Sequence, residues 1–133
     1  PGSRLVVTDH AGRFELSLRQ PGMLRPLSAP ELSDGTLRYL VWVAALMSTR
    51  PASLIAVNEP ETSLHPSILE PLAAMLTDAA TPSQIIVVSH SKTLVDALER
   101  SGATVHTLEK TGGETRLRGQ GSLDAPAWVW PTR

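Results

Sequence analysis

Cysteine is absent from this 133-residue chain, which excludes disulfide staples, thiolate catalysis and cysteine-ligated zinc and leaves a reducing compartment open. An excess of either charge is missing too. Twelve Lys and Arg against thirteen Asp and Glu give a net charge of -1, too balanced for a global attraction to nucleic acid or an anionic membrane. Long apolar runs are lacking: residues 40–47, 54–57 and 85–88 are the longest, far below the roughly 20 needed to span a bilayer. No charged-then-apolar leader opens the chain, so a cytoplasmic location is expected. Lys92 and Lys110 are the only lysines, and neither ends a G-x-x-x-x-G-K-[ST] loop. A G-x-S-x-G elbow is absent as well, which argues against a serine hydrolase. The histidines His10, His65, His90 and His106 have neither i, i+4 spacing nor a C-x-x-C companion, so they do not read as a zinc site. The length still permits a core, because a domain of this size buries about two-thirds of the surface of its unfolded chain.

What is present is an alternation of strand and helix patterns. Pro1-Gly2-Ser3 reads as a cloning scar and is set aside. Residues 4–8 and 13–19 predict a hairpin around Asp9-His10-Ala11-Gly12, and the proline-rich residues 20–30 predict a loop. Over residues 36–48, Leu37, Leu40, Val41, Ala44 and Met47 recur at helical spacing, with Trp42, Val43 and Leu46 elsewhere around the axis. That pattern predicts a helix buried on most sides. Residues 54–57 read as a strand buried on both faces. Leu69, Leu72, Ala73 and Leu76 predict a helix ending near Ala79, and Ser67-Ile68-Leu69-Glu70 has the form of a capping box. A strand over 84–88 and a helix over 92–100, closed by Ser101-Gly102, come next. Residues 103–109 and 114–118 predict a terminal hairpin, followed by an irregular tail over 119–133. The expected class is α/β, of three-layer type, with a largely parallel sheet, flanking helices and β-hairpins at the chain ends.

Three element ends carry polar clusters. Asn58-Glu59 follows one strand, Ser89-His90 the next, and Ser33-Asp34-Gly35 precedes a helix. Parallel strands place Glu59 and His90 on one sheet edge, where open α/β folds put their ligands. A carboxylate beside an imidazole can activate and position water next to an anion. A glycine at a helix N-terminus lets backbone N–H groups approach an oxyanion, as Ser33 to Gly35 would allow. Plainer readings stand beside these: a solvated Glu59-Pro60-Glu61 turn, Ser33 or Asp34 as an N-cap, and His90 as an edge histidine.

In order, these segments resemble the C-terminal half of an ABC-type ATPase head of the RecF, SMC and OLD-like kind. Leu32-Ser33-Asp34-Gly35-Thr36 is similar to the signature motif, residues 54–59 to the Walker B strand, Ser63-Leu64-His65-Pro66 to the D-loop, and His90 to the switch histidine. The resemblance implies a P-loop NTPase fold, ATP and Mg as cofactors, and heads that dimerise around nucleotide. Glu59 would be the general base and His90 would contact the γ-phosphate. Ser33 and Gly35 would reach the γ-phosphate of the partner subunit's ATP, and Ser63, Leu64 and His65 would lie on the homodimer interface. Asn58 stands where an aspartate is usual, so it would hold Mg weakly, through a bound water. Asp34 replaces a glycine and sets a carboxylate near the docking phosphate.

With no Walker A loop in the 133 residues, residues 4–118 are expected to be the C-terminal part of such a domain in a longer protein, inactive alone. The expected activity of the whole is ATP hydrolysis coupled to head dimerisation. Asn58 and Asp34 keep open a second reading, a nucleotide-gated interaction module with little hydrolysis. RecF and SMC relatives act on DNA, but no basic cluster supports DNA binding by this segment.

Overall fold

The structure is a computed structural model that describes residues 2–119. Strands β1 (Arg4–His10) and β2 (Arg13–Arg19) form an antiparallel hairpin, and the short β3 (Leu27–Ser28) pairs with β2. Helix α1 (Asp34–Leu46) follows, then β4 (Leu54–Asn58), α2 (Leu69–Ala79), β5 (Gln84–Val88) and α3 (Lys92–Arg100). A last hairpin pairs β6 (Leu108–Thr111) with β7 (Glu114–Leu117). The tail expected over 119–133 lies outside the described residues from residue 120 onward, as does Pro1.

The centre of the fold is the β4–α2–β5–α3 run. Because α2 carries the chain back across the sheet, β4 and β5 pair in parallel, from Leu54 opposite Gln84 to Asn58 opposite Val88. Both strands therefore finish at one level. Leu46 of α1, Val57 of β4, four α2 residues (Leu72, Ala73, Leu76 and Ala79) and two α3 residues (Leu94 and Ala97) form one buried cluster. Burying a leucine side chain contributes roughly 1.5–3 kcal/mol, against about 0–1 kcal/mol for an exposed ion pair such as Arg100–Glu70. The leucines at 72, 76 and 94, all essentially inaccessible, thus decide the stability of the helical layer.

Four expectations are corrected by the geometry. Among the described residues β4 and β5 are buried on one face only: Ile55, Val57, Ile85 and Val87 meet the helices, while Leu54, Ala56, Ile86 and Val88 are exposed. The pattern of a continuous apolar strand records two faces with an appetite for cover, and the helices of this chain cover one. Helix α1 starts two residues earlier than the apolar period suggested, because Ser33 is the cap, and it buries only Leu46 fully, with Val41 exposed. The capping box does not form. Pro66 opens a 3-10 turn (Pro66–Ile68) that places Ser67 inside the turn, His65 caps it, and the Glu70 carboxylate reaches Arg100 at 2.8 Å instead. In the terminal hairpin the turn is only Gly112 and Gly113, both left-handed, so Lys110 and Thr111 join β6; at the far end the paired strands stop at Leu108 and Leu117, with one more bond from the Arg118 N–H to the Thr107 carbonyl at 2.7 Å.

The first hairpin turns on Ala11-Gly12, with φ of 53° and 86°, and Asp9 Oδ1 accepts from the Gly12 N–H at 2.7 Å. An L-residue other than Asn or Gly is costly in this turn. Ala11→Asn is expected to stabilise the hairpin by about 0.5–1 kcal/mol, read as slower amide exchange across β1 and β2 with unchanged exchange in α2.

Candidate functional site

The common end of β4 and β5 builds the first cluster. The Glu59 N–H donates to the Val88 carbonyl at 2.8 Å, which extends the ladder by one residue. Glu59 then takes a left-handed backbone, φ 46°. Two successive turns follow, closed by Thr62 N–H to Glu59 carbonyl at 3.1 Å and Leu64 N–H to Glu61 carbonyl at 3.0 Å, over a fully buried Pro60. Ser63 is also left-handed, φ 65°. The Glu59 side chain is half exposed, and His90 Nδ1 lies 3.7 Å from its Oε1 and 3.6 Å from Oε1 of Glu61. The edge thus presents one carboxylate to water and one imidazole beside it.

Glu61 is the residue that sequence reasoning passed over. Its side chain is buried, and one oxygen, Oε1, accepts from the Ser89 hydroxyl at 2.7 Å, the His90 N–H at 3.0 Å and the Ser91 N–H at 3.1 Å. Burial pushes its carboxyl upward, yet the hydrogen bonds from the Ser89 hydroxyl and the backbone N–H groups outweigh burial and hold it below the usual glutamate range. A depressed folded value means its stabilisation is complete above the ordinary glutamate range and is lost as the pH falls through the folded value. The wild-type chain is therefore expected to lose more stability on acidification from neutral pH to about pH 3 than Glu61→Gln does, measured by urea unfolding at each pH. The available signal was the second acid of Glu59-Pro60-Glu61, three residues beyond the strand.

A second cluster forms where α1 begins. Ser33 is an N-cap: its Oγ accepts from the Thr36 N–H at 3.2 Å and lies 2.9 Å from Thr36 Oγ1. Gly35 sits against the left-handed Ser63, so close that an added Cβ would stand 2.4 Å from the Ser63 carbonyl oxygen. Ser33, Gly35, Ser63 and His65 line one open recess of about 440 Å³, with Asp34, Thr36 and Ile68. His65 Nδ1 accepts from the Ser67 N–H at 3.2 Å, which leaves the ring proton on Nε2. Leu64 stands apart from this lining because its side chain packs against the core. The structure therefore gathers Ser33, Gly35, Ser63 and His65 in one recess and Glu59 and His90 on one edge, joined by the 59–64 turn.

Asn58 ends β4 with an exposed side chain and offers one neutral amide oxygen. No group of three or more His, Asp or Glu side chains converges to hold a metal among the described residues. The residues present do not fit a complete Mg site, and Mg²⁺ in nucleotide enzymes takes much of its shell from phosphates and water.

A family model described as "AAA domain, putative AbiEii toxin, Type IV TA system" matches residues 3–96. The chain belongs to this AAA domain family. The domain is also 29% identical over 96 residues to the chromosome partition protein Smc of Synechococcus sp., a match that covers 72% of this chain and 8% of that protein's length. Solved structures similar to the AAA domain include SMC ATPases and SMC heads. An SMC ATPase from work on ATP-driven dimerisation and DNA-stimulated activation superposes with a TM-score of 0.68 at 16% identity, over 92% of this chain and 75% of the other. The Smc head bound to the C-winged helix domain of ScpA gives 0.65 at 15% identity, over 86% and 36%. The SMC head domain from Thermotoga maritima gives 0.59 at 24%, over 77% and 38%. The AAA domain thus has the α/β fold of SMC ATPase heads, as the ordered motifs implied. No helix among its described residues is long and apolar enough to cross a membrane.

Proposed function

We propose that this AAA domain carries the water-activating edge and the partner-facing recess of an ATPase whose heads close as a homodimer on ATP. The carrying observation is that an exposed carboxylate, Glu59, and an imidazole, His90, meet at the end of a parallel strand pair. Glu59 takes a proton from water, the water oxygen attacks the γ-phosphorus, and the bond to the β–γ bridging oxygen breaks with its electron pair leaving on ADP. The Nδ1 side of His90 faces the carboxylates, so its Nε2 is the ring atom that contacts the γ-phosphate. In the recess, the backbone and hydroxyl donors at Ser33 and Gly35 face the γ-phosphate of the ATP held by the partner subunit, while Ser63 and His65, joined by the main chain of Leu64, form the seam between heads. The phosphate loop that these 133 residues lack comes from another segment of the protein. Mg²⁺ would supply neutralisation of phosphate charge, and Asn58 is the residue at the end of β4 that would face its hydration shell. The SMC likeness supports this reading, since one matched structure comes from work on ATP-driven dimerisation.

Asn58 favours a second reading, in which ATP closes the dimer and is scarcely hydrolysed, because a neutral amide weakens metal capture. A longer protein that joins this chain to a native phosphate-loop segment separates the two. Phosphate release that saturates with ATP, together with ATP-dependent dimers in sedimentation, is the expected result. Dimers without phosphate release select the second reading, and neither dimers nor release sinks both.

A further inference from the structure

The mechanism above leaves one buried ionisable group unused. Glu61 is 8% exposed, and its hydrogen bonds are lopsided: Oε1 takes three donors from residues 89–91, while Oε2 is buried with no partner. Burying a carboxylate is costly even when it is satisfied, and leaving one oxygen bare adds to the cost. A core position that needed only volume would be better filled by an apolar side chain. The three donors share one property. They belong to the loop that carries His90, and two of them are the backbone N–H groups of His90 and its neighbour Ser91. The same Oε1 lies 3.6 Å from His90 Nδ1, almost the 3.7 Å that separates this nitrogen from Glu59. Glu61 thus holds the main chain of His90 by hydrogen bonds and places a carboxylate oxygen beside Nδ1 of its ring.

Its own backbone is held equally tightly. The Glu61 carbonyl accepts from the Leu64 N–H, and the same turn presents the Ser63 carbonyl against Gly35. A side chain on the 59–64 turn therefore grips the β5–α3 loop while the turn itself leans on the first turn of α1.

We infer that Glu61 is a positioning residue that sets the His90 ring with Nδ1 toward the two carboxylates and Nε2 outward. The inference deepens the proposed ATPase reading and rests on it for its kinetic consequence. Its structural consequence stands alone: a carboxylate facing Nδ1 favours the Nδ1–H tautomer, whichever reaction the edge performs.

The experiment uses the full-length protein labelled with ¹⁵N-histidine, with the His90 signals assigned by His90→Gln. Wild-type His90 is expected to show the Nδ1–H tautomer in excess. Glu61→Ala is expected to shift it toward Nε2–H and to lower kcat at least tenfold, with KM for ATP unchanged within threefold. Glu61→Gln, which keeps an acceptor oxygen, is expected to recover part of both. Because deleting a buried carboxylate can unfold the domain, Ser89→Ala is the milder probe. It removes one donor to Oε1 and is expected to shift the tautomer ratio in the same direction. Unchanged His90 signals in both Glu61→Ala and Ser89→Ala overturn the inference. A shifted tautomer in a protein that never hydrolyses ATP upholds the positioning role and sinks the ATPase reading instead.

Discussion

Glu59→Gln is expected to lower ATP turnover of the full-length protein by about a hundred- to ten-thousand-fold, the range that a positioned general base supplies. The amide keeps the size of the side chain and cannot accept the proton. The residue stands half exposed beside His90, outside the buried core, so the fold is expected to survive and KM for ATP to stay within threefold. Nucleotide-dependent dimers should also persist, because the proposed closure draws on Ser33, Gly35 and Ser63, which line the separate recess, and not on the Glu59 carboxylate. Phosphate release within threefold of wild type would remove Glu59 from the chemistry, whatever the dimers do.

Gly35→Ala is expected to destabilise the domain by about 1–3 kcal/mol, the usual cost of forcing an extra carbon into a packed site. The sign is the informative part. A glycine in a helix is ordinarily replaced by alanine with a gain of about 1 kcal/mol, because alanine restricts the unfolded chain. Here the added Cβ would meet a backbone oxygen, Ser63 O, at 2.4 Å, and no side-chain rotation relieves that contact. The start of α1 must move away from the 59–64 turn. Since that turn leads from Glu59 to His65, the displacement spreads to both clusters, and ATP-dependent dimerisation is expected to weaken at least tenfold. A urea midpoint equal to or above that of wild type would show that the approach of Gly35 to Ser63 is looser than described.

The central elements were legible because their signals are local. The strand at 84–88 and the helix at 92–100, with its Ser101-Gly102 end, lie where apolar runs and caps put them. The pairing of Glu59 with His90 followed from the expectation that consecutive parallel strands end on one edge, and β4 and β5 do. What was not legible depends on contacts distant in sequence. Glu61 looks like any turn acid until the loop at 89–91, twenty-eight to thirty residues later, is folded against it. The approach of Gly35 to Ser63 also spans the chain from α1 to the turn after β4. Burial of α1 was overestimated because apolar content states what a surface prefers and not what stands next to it; Val41 is exposed despite its helical register. The failed capping box is more local: Ser67 matched the motif, but Pro66 immediately before it had already begun the turn.

The left-handed backbone of Glu59, immediately before Pro60, sets chemistry and conformation against each other at one position. An L-residue there costs on the order of 1–3 kcal/mol, and the following proline narrows the choices further. Glycine or asparagine would relax the main chain, while the proposed proton transfer needs a carboxylate. A selection for heat resistance applied to this domain would accordingly enrich Glu59→Gly and Glu59→Asn and discard the activity, so residue 59 would mark where durability and turnover part company.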